Sequence, residues 1–128
     1  REHLVKAALE SVAYQTADVF EAMARVVGQR PRFLKVDGGA AVNNYLMQFQ
    51  ADLLGIPVLR SDRTESTAWG AAKLAGIQVG FWKSIRQIDR VRRYRKFSPR
   101  MPVRERLEKL TAWREAVGRL LGPFEKGR

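Results

Sequence analysis

The chain has 128 residues, 45% of them hydrophobic, which suits one domain or part of one and excludes disordered and collagen-like proteins. It contains no Cys and a single His, His3, which excludes a disulfide framework, a thiolate metal site, a Cys nucleophile and a His metal cluster. The net charge of +11 lies almost entirely in residues 83–128, which hold 15 Lys/Arg and 5 Asp/Glu, whereas residues 1–82 hold 9 and 8.

The first predicted element is a long amphipathic helix over residues 4–27. Gly28 is a suitable stop for it, and Pro31 cannot continue it. Apolar residues recur along it at alternating steps of four and three, which predicts one face turned toward the core. That predicted core stripe comprises Val5, Leu9, Val12, Thr16, Val19, Met23 and Val26.

Two short apolar runs and two further helical patterns follow. The runs are RFLKV, residues 32–36, and IPVLR, residues 56–60, and each indicates a buried strand. The helical patterns cover residues 43–54 and about 65–80. Because helices alternate with strands, the order α–β–α–β–α predicts an α/β fold with parallel strands. Two strands make a poor sheet and the first residue is not Met, so we expect a piece of a longer protein.

The basic part of the chain has a different pattern. Residues 89–102 alternate apolar and basic side chains before two prolines, which indicates an extended segment. Residues 103–121 predict a last amphipathic helix, closed by Gly122 and Pro123. We therefore divide the chain into residues 1–82 and a basic extension, residues 83–128, packed on the same domain. The predicted apolar face of the last helix comprises Val103, Leu107, Leu110, Trp113, Val117, Leu120 and Leu121.

The join between the first strand and the next helix is rich in glycine and asparagine. Asp37, Gly38 and Gly39 follow the strand, where open α/β sheets bind ligands. Glycine lets a ligand come close to the backbone, and the N–H groups of a helix start favour an anion. A plain tight turn, with Asn43 and Asn44 as helix caps, explains the same residues. The two common phosphate-loop motifs, G-x-x-x-x-G-K-[ST] and G-x-G-x-x-G, are absent.

Longer motifs favour the ligand interpretation. VDGGAAVNNYLMQFQADLLGIPVLR and TESTAWGAAKLAGIQVGFW closely resemble the C-terminal part of the glycerol kinases, which are carbohydrate kinases of the actin-like ATPase superfamily. LESVAYQTADVFEAM is similar to the preceding helix of that family, and FSPRMP and AWREAVGR resemble its C-terminal extension more loosely. The resemblance covers most of the chain.

The resemblance implies a fold and a nucleotide site. The fold is α/β: the second half, α–β–α–β–α, of an actin-like, ribonuclease H-like ATPase domain plus a C-terminal helical extension. The reaction that the resemblance implies is transfer of the γ-phosphate of ATP, with Mg²⁺, to glycerol. By position, Gly39 would approach the nucleotide through its backbone and Asn43 would contact its adenosine side. Gly38 and Ala40 would complete the turn.

The family's catalytic Asp, its first phosphate loop and its glycerol contacts all lie upstream of this segment. We therefore assign no catalytic residue and no metal ligand, and we expect the Mg²⁺ ligands outside the chain. Asp37 is expected to fix the turn and Asp52 to face solvent. Asp62 and Glu65 suit a loop and a helix start. This segment alone is not expected to be active.

The resemblance also implies partners. We expect ATP and ADP, glycerol bound through the missing N-terminal part, and a homo-oligomer of the full-length protein. No apolar run approaches the roughly 20 residues of a membrane-spanning helix and no signal peptide is visible, so we expect a cytoplasmic protein without a membrane partner.

Two other functions stay open. A related carbohydrate kinase could act on another polyol or sugar, because the residues that choose the substrate are not in this chain. A nucleic-acid-binding module is the second alternative, because the basic extension carries Tyr94, Phe97 and Trp113. These aromatic residues fall on apolar stripes, which favours packing over base stacking. The isolated chain is expected to expose the helix faces that the missing strands would cover, and so to associate with itself or to be weakly stable.

Overall fold

A computed structural model of the chain describes residues 1–62, 66–89 and 93–121. The elements within these ranges follow in chain order. They are α1 (Glu2–Val27), β1 (Leu34–Val36), a 3₁₀ helix (Gly39–Val42), α2 (Asn44–Leu54), β2 (Val58–Ser61), α3 (Ser66–Gln78), α4 (Ile85–Asp89), β3 (Tyr94–Phe97) and α5 (Val103–Leu121). The predicted α–β–α–β–α order is confirmed, with the 3₁₀ helix as an addition. Glu65, Gly122 and Pro123, for which we predicted a helix start and a helix stop, lie outside the described residues.

The three strands form one sheet in the order β1-β2-β3. β1 and β2 are parallel, as predicted, and Val36 is paired with Arg60 at their ends. β3 lies antiparallel to β2 on its other side, and Val58 is paired with Phe97. We predicted an extended segment here but not a strand. The basic extension thus adds a strand to the sheet of the first part, although the division at residue 82 stays a prediction.

The side of α1 that packs inward differs from the predicted one. Ala13, Ala17 and Phe20 are buried, because their small or flat side chains let α1 lie close against α2. The predicted core stripe is wrong for most of its members, which are 46–88% exposed in the described structure. These exposed residues are Val5, Val12, Val19, Met23 and Val26. The expectation that the chain exposes apolar helix faces is confirmed.

The core is organised around α2, which lies between α1 and the sheet. Its buried residues meet Val58 of β2, Phe97 of β3 and Leu110 of α5. Tyr14 of α1 stacks on Trp113 of α5, with ring centroids 5.1 Å apart. The buried residues of α2 are Leu46, Met47, Phe49, Gln50, Ala51, Asp52, Leu53 and Leu54.

The last helix α5 has the predicted bounds, but only part of its apolar face is covered. Leu110 is buried, and Trp113 and Val117 are half-buried. The indole Nε1 of Trp113 donates a hydrogen bond of 2.8 Å to Asp18 of α1. The rest of the predicted face, Val103, Leu107, Leu120 and Leu121, is 54–88% exposed.

The expectation that Asp52 faces solvent is wrong. Asp52 is 9% exposed, because α2 passes directly beneath the segment that follows β3. Its Oδ1 accepts hydrogen bonds from the backbone N–H groups of Arg100, at 2.6 Å, and Met101, at 3.2 Å. Gln48 donates to the same oxygen. A charged acceptor inside α2 therefore attaches the segment between β3 and α5 to the core.

Replacing Asp52 with alanine should lower the free energy of unfolding by about 1–3 kcal/mol, because two backbone donors lose their acceptor. Urea denaturation measures this change. Glu108→Ala is the control, since Glu108 makes an exposed ion pair with Arg104 and should cost less than about 1 kcal/mol. Equal, small effects of the two substitutions would contradict the attachment role of Asp52.

Candidate functional site

The glycine turn, residues 37–42, lies where β1 and β2 both end. Because the two strands are parallel and Val36 is paired with Arg60, their carboxyl ends meet at one edge of the sheet. The chain leaves β1 through Asp37 and Gly38 and enters the 3₁₀ helix directly. This edge is where open α/β sheets bind ligands.

The backbone conformation explains one of the two glycines of the turn but not the other. Gly38 has φ 86° and ψ 176°, a conformation open essentially to glycine alone. Gly39 has no positive φ, and a Cβ built on it would meet no atom within 4 Å. Neither backbone conformation nor packing within the described residues therefore requires glycine at position 39. A glycine that the fold does not require at this position leaves the backbone open to the close approach of a ligand.

Asn43 joins the turn to α2 and caps that helix. Its Oδ1 accepts a hydrogen bond of 3.1 Å from the N–H of Leu46, as an N-cap residue should. The side-chain amide Nδ2 has no partner in the part of the chain that the structure describes, and the residue is half-buried. The cap and a ligand contact therefore use different atoms of Asn43, and both interpretations fit one geometry.

Arg60, at the end of β2, contacts the turn from the sheet. Its Nη1 lies 2.9 Å from the carbonyl oxygen of Ala41, 3.0 Å from that of Val42 and 3.0 Å from Oδ1 of Asn44. Its guanidinium carbon is 5.3 Å from the ring centroid of Phe97. We did not single out Arg60 from the sequence. The available signal was a lone charge at the carboxyl end of a short apolar strand.

The start of α2 is also tied to α1. The hydroxyl of Tyr45 donates a hydrogen bond to Glu10, and its ring stacks on Phe49. Burial, together with Glu10, raises the pKa of Tyr45 to about 12, so the phenol is a neutral donor at physiological pH. The helix start is therefore held from the α1 side by Tyr45 and from the sheet side by Arg60.

The acidic residues near the turn do not gather. Asp37 and Asp62 are both exposed, and Glu65 lies outside the described ranges. No group of three or more His, Asp or Glu side chains that could hold a metal ion occurs among the residues with described positions. A search of the same residues finds no helix with the length and apolar character needed to span a membrane.

Known proteins share both the sequence and the fold. The model of the FGGY family of carbohydrate kinases, C-terminal domain, matches residues 1–79. A glycerol kinase of Pseudothermotoga lettingae is 52% identical over 127 residues, covering 98% of this chain and 26% of that protein. Glycerol kinase 2 of Thermotoga maritima is 52% identical over 128 residues, covering 95% of this chain and 25% of that protein. The chain thus spans about a quarter of the length of the curated relatives that it matches.

Solved structures agree with the family match. The structure of Plasmodium falciparum glycerol kinase with ADP superposes with a TM-score of 0.81 and 32% identity, covering 95% of this chain and 25% of that one. Xylulose kinase from Lactobacillus acidophilus has a TM-score of 0.69 at 17% identity over 96% of this chain and 25% of that one, which shows the fold alone. The predicted fold class, the second half of an actin-like ATPase domain with a helical extension, is confirmed.

Proposed function

The chain belongs to the FGGY family of carbohydrate kinases, and we propose that it is the C-terminal, nucleotide-side part of a glycerol kinase. The complete enzyme would transfer the γ-phosphate of ATP to glycerol and give glycerol 3-phosphate. The observation that carries this proposal is the identity of about 50% to glycerol kinases over almost the whole chain. We also propose a cytoplasmic enzyme that forms homo-oligomers, as sequence resemblance implies.

The glycine turn would bind the nucleotide. The backbone at Gly39 is exposed, and no described side chain comes within 4 Å of a Cβ built there, so ATP can lie against it. The Nδ2 group of Asn43, which no described residue engages, can donate a hydrogen bond to the adenosine side. Gly38 holds the turn in shape through its positive φ. The N–H groups at the start of the helices add a favourable field for negative charge.

The chemistry of phosphoryl transfer is supplied elsewhere in the enzyme. Such transfer depends on positioning and charge stabilisation by a base for the attacking hydroxyl, phosphate-binding loops and Mg²⁺. The described residues do not fit a Mg²⁺ site, because their carboxylates do not converge. We propose that the metal ligands, the base and the glycerol contacts lie in the remaining three quarters of the protein. The role of this chain is then to bind and orient ATP.

A carbohydrate kinase with another substrate is the main alternative. Xylulose kinase, at 17% identity, has the same fold, so the fold alone does not select glycerol as the substrate. The much higher identity to glycerol kinases favours glycerol.

Binding of nucleic acid is less well supported. Phe97 is 7% exposed and one face of Trp113 is covered by Tyr14, which favours packing over base stacking for both rings. Nη2 of Arg114 lies 2.6 Å from Oε2 of Glu21, so the charge of this arginine is compensated within the chain and contributes less to binding a nucleic acid.

The test is ATP-dependent phosphorylation by the complete protein with glycerol and a panel of pentoses, hexoses and other polyols. We expect kcat/KM for glycerol to exceed that for every other substrate by about tenfold or more, since a site built for one hydroxyl pattern rejects others strongly. Preference for another substrate would keep the nucleotide role and move the enzyme within the family. Absence of turnover, together with nucleic-acid binding that falls steeply with salt, would overturn the kinase assignment.

A further inference from the structure

The junction between the 3₁₀ helix and α2 depends on a donor from outside the helices. The carbonyl oxygens of Ala40 and Asn43 accept hydrogen bonds from backbone N–H groups. Those of Ala41 and Val42, where one helix type changes into the other, take theirs from Arg60. A carbonyl at such a helix junction needs a partner, and Ala41 is 3% exposed, so water replaces this donor poorly.

Arg60 is well placed to act as a rigid support. Its strand β2 is paired on both sides, with Val36 of β1 and with Arg95 of β3. The guanidinium lies over the ring of Phe97, which is itself buried. The side chain is thus fixed at its base by the sheet and at its guanidinium by the ring. A planar guanidinium presents its donors in a rigid arrangement, whereas the three donors of an ammonium rotate at the end of a flexible stem.

The contacts of Arg60 lie on both sides of Asn43. Ala41 and Val42 precede it, and Asn44, whose Oδ1 also contacts Nη1, follows it. Gly39 lies two residues before Ala41, in the same 3₁₀ helix. The contacts of Arg60 therefore flank Asn43 and reach the 3₁₀ helix that contains Gly39, while its Nη1 is occupied by protein acceptors.

We propose that Arg60 is a positioning residue for ATP: it holds the glycine turn and the start of α2 in the arrangement that binds the nucleotide. This inference rests on the proposed function of the chain. It assigns to a residue of β2, outside the turn, control over nucleotide affinity without control over the binding of glycerol.

The experiment compares Arg60→Met, Arg60→Lys and Arg95→Met in the complete kinase. Arg95 is the matched control, because its guanidinium carbon lies 5.2 Å from the same ring of Phe97 and its residue is paired with Arg60. Steady-state kinetics give KM for ATP and for glycerol, calorimetry gives Kd for ADP, and thermal unfolding gives Tm. We expect Arg60→Met to raise KM for ATP and Kd for ADP about tenfold, because the hydrogen bonds to the carbonyls of Ala41 and Val42 and to Asn44 are lost. KM for glycerol should stay within about twofold of the wild-type value.

The control variants decide between positioning and simpler roles. Arg60→Lys should recover only part of the ATP affinity, and Arg95→Met should leave it unchanged. Full recovery by Lys would overturn the proposal, because a point charge would then suffice. A lower Tm with an unchanged KM for ATP would also overturn it, since the role would be structural only. Wild-type protein without glycerol phosphorylation but with intact ADP binding would refute the proposed function and leave the Arg60 inference testable by calorimetry.

Discussion

Leucine at position 39 will raise KM for ATP about a hundredfold or abolish turnover in the complete kinase, because a side chain of that size displaces the nucleotide from the turn. The free energy of unfolding should stay within about 0.5 kcal/mol of the wild-type value. Two observations support this separation: Gly39 has no positive φ, and among the described residues no atom beyond its neighbours along the chain lies within 4 Å of a Cβ built there. Steady-state kinetics with ATP varied, beside urea denaturation, measure both effects.

Gly38→Ala is the matched control, because the backbone conformation requires glycine at position 38 but not at position 39. At φ 86° and ψ 176° any side chain strains the backbone, at a cost of about 1–3 kcal/mol. The described residues, apart from the neighbours of Gly38 along the chain, leave a Cβ at this position without contacts within 4 Å, so the expected cost comes from the dihedral angles. Gly38→Ala should therefore lower stability more than Gly39→Leu does. If Gly39→Leu is the more destabilising change and KM for ATP is unaltered, residue 39 does not face the nucleotide.

Local sequence patterns predicted the order of elements well and the buried face of α1 badly. A helical period states how often a face returns, but not which of two apolar faces is covered. Ala13, Ala17 and Phe20 also recur at steps of four and three, and they are the buried set. We predicted the other face as buried because the side chains of the predicted core stripe are larger and more apolar. Close packing of α1 on α2 selects small residues, and that contact cannot be read from one helix alone.

The parts of the site that depend on neighbours in the sheet were not predictable. The contacts of Arg60 join residues 16–19 positions apart, and they follow from the register of β1 and β2. β3 was missed for the same reason, since a strand is defined by its partner. Gly38, Gly39 and Asn43 were assigned to the nucleotide through the resemblance to the glycerol kinases, because the order strand, turn and helix start fits a plain tight turn equally well. Their contact with a nucleotide stays a prediction.

The isolated 128-residue chain will associate with itself at micromolar concentration and will not turn over ATP and glycerol. The exposed stripe of α1 is the cause, because it leaves several valines and Met23 in water. Two apolar hollows of about 420 and 320 Å³ lie along this helix, the first lined by Val5 and Leu9 and the second by Met23 and Val26. Covering each such side chain contributes about 1.5–3 kcal/mol, so association is favoured until the rest of the kinase covers them. Sedimentation equilibrium measures the association, and a compact monomer that unfolds cooperatively would contradict it.

A single charge on the exposed stripe of α1 should weaken self-association of the isolated chain and destabilise the complete kinase. Val19→Lys should shift the isolated chain toward the monomer, because it puts a cation in the surface that associates. In the complete kinase the same change should lower the free energy of unfolding by about 2 kcal/mol or more, since Val19 would there be covered by other segments. Ala7→Lys, exposed on a different face of α1, adds the same charge and should do neither. Weaker self-association of the isolated chain together with a lower free energy of unfolding of the complete kinase would identify the stripe as a surface that the rest of the enzyme buries. Small changes in both quantities would show that this face of α1 is exposed to solvent in both proteins.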